Sequence, residues 1–115
     1  MAATIRLKHA REAPTRADGK RILVDRLWPR GQSKDLLKLD AWLRDVAPST
    51  ELRQWFGHDP AKWTEFRKRS FAELKHNLAI ADLRELTANS VVTFVFAAAD
   101  TEHNNAVALR EFLQR

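Results

Sequence analysis

The residues able to do chemistry gather in two short segments, each following an apolar run. The first is Asp25-Arg26-Leu27-Trp28-Pro29-Arg30-Gly31, and the second is Ala98-Ala99-Asp100-Thr101-Glu102-His103-Asn104-Asn105. Arg26 and Arg30 suit an anion, because guanidinium offers a rigid fork of donors to carboxylate or phosphate. Arg26 reads equally as a structural partner of Asp25, Asp45 or another carboxylate, whereas Arg30, in a turn after Pro29, reads as functional. His103 and Asn104 are expected in the first turn of a helix, where free backbone N–H groups favour anions. His103 would there donate a proton or contact a phosphate, and His58 is a second, weaker candidate for moving protons. Asp25 ends an apolar run and reads as a hydrogen-bonding anchor rather than a general base. Trp28, between Leu27 and Pro29, would wall a pocket at the same place.

Other chemistries drop out on composition. The 115 residues include no Cys and no Tyr, which removes disulfides, thiolate metal sites, thiol nucleophiles and phenol acid/base chemistry. With only Gly19, Gly31 and Gly57, neither common Gly-rich phosphate cradle can be built. Gly31-Gln32-Ser33-Lys34 is at most a turn into a helix N-terminus. No His pair has metal-ligand spacing, so no metal is expected, and no cofactor is named by any motif. Ser33, Ser49, Ser70 and Ser90 lie in no nucleophile elbow, and Ser49 reads first as a helix cap.

Twenty Lys+Arg against 15 Asp+Glu give a net charge of +5. That balance favours an anionic partner, either a small molecule or nucleic acid, and equally suits a merely soluble domain. No apolar run approaches the ~18 residues needed to cross a membrane. Glu12 and Asp18 interrupt the basic N-terminal stretch, unlike a transit peptide. The chain is therefore expected in the cytoplasm, as a single domain over residues 1–115, with no membrane partner. Nothing in it specifies an oligomeric state.

Positioning the two segments requires strands that end where they begin. Lys20–Leu27, with Ile22-Leu23-Val24, and Val91–Ala97 are apolar runs of the kind covered on both faces in parallel sheets. Thr4–Leu7 alternates and suits an edge strand. Between them, a helix is predicted over Ser33–Val46, from the apolar spacing of Leu36, Leu37, Leu39, Trp42, Leu43 and Val46. Ser49 or Thr50 is a plausible cap for Glu51–Phe56, and Asp59-Pro60 starts a helix over Ala61 to about Asn77. That helix puts Trp63, Phe66, Ser70, Phe71, Leu74 and Leu78 on one side. Leu83–Thr87 extends or follows it, and Asp100 or Thr101 is expected to cap a last helix with Ala106, Leu109, Phe112 and Leu113 inward. Trp42, Trp55 and Trp63 are expected in the core. The grammar is α/β: a small, mostly parallel sheet of three strands (a fourth is an option) flanked by about five helices, Rossmann-like in general layout. Ligands of such sheets bind beyond the carboxyl ends of the strands, where both segments would meet.

The run Asp18 to Gly31 resembles the opening of the YeaO-like family of bacterial proteins, the domain of unknown function 488. Asp40 to Phe56, containing Val46-Ala47-Pro48-Ser49 and Glu51 to Phe56, His58-Asp59-Pro60 with Trp63, Phe66 and Arg67, and Glu102 to Val107 are similar to its later blocks. The resemblance implies a compact α/β domain in a bacterial cytoplasm and no established activity. It adds weight to Arg26, Trp28, Arg30, Ser49, Arg53, His58, His103, Asn104 and Asn105, and to Arg53 and Arg67 as anion-binding groups or their supports. Ser70 stands where the resemblance implies Tyr, and Phe96 where Tyr is common.

These readings name no reaction and leave open whether the protein is an enzyme. The first reading is a basic anion-binding pocket at the strand ends, with an enzyme on a phosphorylated or carboxylated small molecule as one form of it. The alternative is a nucleic-acid-binding or stress-associated accessory protein using a basic helix face of Lys62, Arg67, Lys68, Arg69 and Lys75. Glu65 and Glu73 make a solvated exterior the simpler reading of that face.

Overall fold

The strongest apolar run of the sequence forms an interior strand of the sheet. The structure, a computed structural model, describes residues 4–88 and 90–115. Four parallel strands, β1 (Thr4–His9), β2 (Lys20–Leu23), β3 (Ala41–Trp42) and β4 (Val91–Phe96), lie in the order β1-β4-β2-β3. Covered on both faces, β4 keeps Val92, Phe94 and Val95 at 0% exposure. Full burial of such side chains stabilises the fold by roughly 1.5–3 kcal/mol each. The alternating strand β1 lies at an edge, with Ile5 inward and Arg6 exposed.

The main core lies on one face of the sheet. There Ile5, Ile22, Val24, Val92, Phe94 and Phe96 meet Leu74 of α3 (Trp63–Lys75), Ile80 and Leu83 of α4 (Ala79–Thr87), and Ala106 and Leu109 of α5 (Asn105–Gln114). A smaller cluster on the other face joins Ala10, Leu23 and Val95 to Leu37 of α1 (Lys34–Leu37), with Trp28 and Trp42 packed against it. A third cluster unites Leu52 and Phe56 of α2 (Thr50–Phe56) with Phe66 of α3, flanked by Trp55 and Trp63.

Local chemistry sets most element starts. Ser49 caps α2 by accepting from the Leu52 N–H, and its hydroxyl donates to Glu73 Oε2 at 2.6 Å. Asp59 caps a 3-10 turn, Pro60–Lys62, that leads into α3. The cap of α5 is Asn104, neither Asp100 nor Thr101: its side-chain oxygen accepts from the Val107 N–H at 3.0 Å. Asp100 instead closes the preceding turn by accepting from the N–H groups of Glu102 and His103. His103 and Asn104 therefore precede the helix rather than form its first turn.

The predicted helix over Ser33–Val46 is replaced by α1, the two-residue β3 and a 3-10 turn, Arg44–Val46. Pairing with β2 outweighs the helical spacing of the leucines. Arg21 N–H donates to Asp40 Oδ2 at 2.7 Å, Asp40 N–H to the Arg21 carbonyl at 2.7 Å, and Leu43 N–H to the Leu23 carbonyl at 2.9 Å. Lys38, left-handed at φ 47°, ends α1. Leu78 also departs from expectation: α3 stops at Lys75, so Leu78 leaves the apolar stripe and is 94% exposed. Among the described residues no helix is long and apolar enough to cross a membrane.

Candidate functional site

Parallel pairing of β2 with β4 brings the two chemistry-bearing segments together at the carboxyl ends of their strands. Between them opens a cleft of about 250 Å³, closed on its far side by the loop before α2, by α2 itself and by the start of α3. Its polar lining is Asp25, Arg26, Arg30, Arg53, His58, Asn104 and Asn105; Trp28, Pro48, Phe56, Phe66, Ala97 and Ala98 are among its apolar walls.

Asp25 holds the cleft's base together. Its Oδ2 accepts from the Ala97 N–H at 2.9 Å, and its Oδ1 accepts from Asn105 Nδ2 at 3.0 Å, so the carboxylate ties β2 to the segment after β4 and to α5. Burial pushes the Asp25 carboxyl above its ordinary range; the bonds from Asn105 and Ala97 and the charges of His58 and His9 act against that push. This is the anchoring role expected of it.

Three arginines, Arg26, Arg30 and Arg53, line the cleft. Arg26 donates from Nε to the Pro48 carbonyl at 3.3 Å and from Nη2 to the Ala47 carbonyl at 3.2 Å, fixing the loop before α2. Backbone carbonyls, rather than the expected carboxylates, are therefore its structural partners. Arg53, half-buried on α2, lines the cleft, and Arg30 stands exposed at the mouth. Among the described residues no carboxylate lies within ion-pair distance of Arg26, Arg30 or Arg53. Trp28 donates its indole N–H to the Gln32 carbonyl at 2.6 Å and meets Trp42 edge-on at 5.4 Å, which leaves only its apolar ring for the cleft.

His58 lies on the rim, exposed, with a left-handed backbone at φ 57° directly after Gly57 at φ 54°. Histidine tolerates this region better than most residues, yet the conformation still costs on the order of 1–3 kcal/mol. His103 is not on the cleft. Its Nδ1 lies 2.9 Å from Asp100 Oδ2 and its ring meets Trp63 edge-on at 5.3 Å. Bonds from the Glu102 N–H, then from His103, hold the Asp100 carboxyl below its ordinary range.

The remaining candidates divide. Asn104 lines the cleft while buried to 2% exposure, its side chain held by Val107 N–H and the Asp100 carbonyl. Ser49 is bound to Glu73 and Arg67 to Glu111, both away from the cleft. On the basic face of α3, Arg69 pairs with Glu65 and lies over Trp55 at 4.2 Å, and Lys62 donates to the Trp55 carbonyl. Trp42, Trp55 and Trp63 are half-buried rather than fully inside. At the two Tyr departures, Phe96 is 2% exposed and meets His9 edge-on at 5.6 Å, while the buried Ser70 hydroxyl has no partner among the described residues.

Sequence reasoning missed the walls. Phe56, Phe66, Pro48 and Ala97 carry no chemical signal of their own, and packing of α2 against α3 is what brings Phe56 and Phe66 together at the strand ends. Asn105 was legible as part of a polar run, but its contact with Asp25 spans 80 residues of sequence.

Fold and cleft together define a small parallel α/β protein with a basic cleft at the strand ends. The family model that matches residues 4–115 is described as the inactive DUF488-N3 subclade, and the chain belongs to that family. It is 46% identical over 96 residues to the uncharacterised protein Rv3073c of Mycobacterium tuberculosis, covering 84% of this chain and 81% of the relative. It is 37% identical over 111 residues to the uncharacterised protein YeaO of Escherichia coli, covering 96% of each. No solved structure matches the chain.

Proposed function

We propose that this protein is an anion-binding protein of the cytoplasm that holds a phosphorylated or carboxylated small molecule in the cleft without turning it over. The observation that carries this reading is the trio Arg26, Arg30 and Arg53, which face one cleft with no carboxylate partner among the described residues. Guanidinium groups left without a counter-ion beside apolar walls favour an anionic occupant.

Binding without turnover is favoured by what the cleft offers for chemistry. Both Asp25 oxygens are occupied by Ala97 and Asn105, and no Ser, Thr, Cys, Tyr or Lys is among the lining residues. The family's description as inactive supports the same reading. His58, exposed on the rim, adds an imidazole beside the arginines.

Calorimetric titration with inorganic phosphate and acetate, on the wild type and on Arg30→Ala, tests the reading. Wild-type binding that weakens at least tenfold in the variant is expected. Equal affinity in both proteins rejects the arginine site.

A further inference from the structure

We infer that the occupant of the cleft is a one-ring phosphomonoester, its ring inward against the aromatic wall and its phosphate at the mouth. This rests on the anion-binding reading above and narrows it in three respects: charge, size and orientation.

Charge follows from the lining. Three guanidinium groups stand against one carboxylate, an excess of two positive charges. A carboxylate ligand would leave one of them uncompensated in a partly desolvated cleft. A phosphomonoester carries close to two negative charges at neutral pH and three acceptor oxygens, which matches the excess.

Size follows from the volume. A cavity of about 150 Å³ holds benzene, and pockets for larger ligands begin near 300 Å³. At about 250 Å³ the cleft takes one ring and a phosphate, and is too small for a purine with its sugar. Ala97, exposed, and Ala98, half-buried, line the cleft with small side chains, and longer ones there would narrow it.

Orientation follows from where the charges lie. Asp25 sits at the strand end beneath the cleft, bonded to Ala97 and Asn105, and would repel a phosphate pushed inward. Arg30 and His58 are exposed on the rim. The inner wall is aromatic: Phe56 and Phe66 stack at 4.0 Å between centroids with an interplanar angle of 17°, both nearly buried. Trp28 adds a ring whose N–H is already committed to Gln32. An aromatic ring gains from such neighbours by offset or edge contacts.

The experiment is a calorimetric comparison of phenyl phosphate, benzoate, inorganic phosphate and adenosine monophosphate on the wild type and on Ala97→Leu. Phenyl phosphate is expected to bind at least tenfold tighter than each of the other three. Ala97→Leu should weaken phenyl phosphate more than it weakens inorganic phosphate. Inorganic phosphate equal to phenyl phosphate overturns the ring while leaving the anion site standing. Benzoate equal to phenyl phosphate overturns the double charge, and adenosine monophosphate equal to it overturns the size limit. Binding of none of the four overturns this inference and the anion-binding reading together. Should Ala97→Leu fail to fold, the ranking of the four ligands on the wild type decides alone.

Discussion

Asn105 donates a 3.0 Å hydrogen bond from Nδ2 to Asp25 Oδ1 and a second, at 3.1 Å, to the Val24 carbonyl, so the first residue of α5 clamps the end of β2. Each of the two segments that carry the candidate site is thereby held by the other. Two consequences follow, one for stability and one for pH.

Asn105→Ala removes the donor and leaves a half-buried carboxylate with one bond fewer. A stability loss of about 1–3 kcal/mol is expected from denaturant unfolding. The Asp25 carboxyl, already raised by burial, should rise further, which carboxyl NMR titration would detect.

Because the folded Asp25 titrates above its ordinary value of 3.8, the folded state holds this proton more tightly than the unfolded chain does. Its contribution is fully present below that ordinary value and is lost as pH rises through the folded value. Unfolding free energies of wild type and Asp25→Asn, measured across this acidic window, should show the wild type losing ground to the variant as pH rises. A constant difference would refute the assignment.

Asp18 behaves in the opposite sense. Burial raises it, but bonds from the Thr15 N–H, Lys8, Arg21 and the Thr15 hydroxyl outweigh that and hold it below its ordinary value of 3.8. Its contribution is therefore present above that ordinary value and lost as pH falls through the folded value. Asp18→Asn strips the charge partner from Arg21, which is 4% exposed, and should cost about 3–5 kcal/mol at neutral pH.

Arg26 and Arg30 separate structure from binding. Arg26→Ala loses two bonds to the loop before α2 and should cost about 1.5–3 kcal/mol as well as anion affinity. Arg30 is exposed at the mouth, so Arg30→Ala should lower affinity while changing stability by no more than about 0.5 kcal/mol. Thermal melts beside calorimetry distinguish the two.

Gly19 fixes where β2 starts. It sits at φ 62°, and a Cβ there would lie 2.1 Å from the Val91 carbonyl oxygen. Gly19→Ala should cost about 2–6 kcal/mol, combining a clash of about 1–3 with about 1–3 for a positive-φ backbone that lies outside the left-handed helical region. A melting point within a degree of the wild type would contradict this contact.

Several elements were legible because their causes are local. Continuous apolar runs named β2 and β4, alternation named β1 as an edge, Ser49 and Asp59 announced helix starts, and the Phe66–Leu74 stripe named α3. The strand ends also marked out Arg26, Trp28, Arg30 and Asn104, which line one cleft. Each of these signals is written within a few residues of where it acts.

Tertiary structure decided the rest. Leu36 to Val46 had helical spacing, yet the backbone of Asp40 and Leu43 found better partners on β2, and a helix became a strand. His103 and His58 looked alike as histidines in polar turns; a carboxylate three residues away turned one aside, and a left-handed turn set the other on the rim. Which arginines lack a counter-ion was likewise invisible: Arg67 met Glu111 from another helix, while Arg26, Arg30 and Arg53 met none among the described residues. Sequence alone thus determined the α/β class and the residues at the strand ends, because propensity and capping act over short range. The cleft itself depended on the tertiary structure, because pairing across tens of residues settles which charges remain uncompensated.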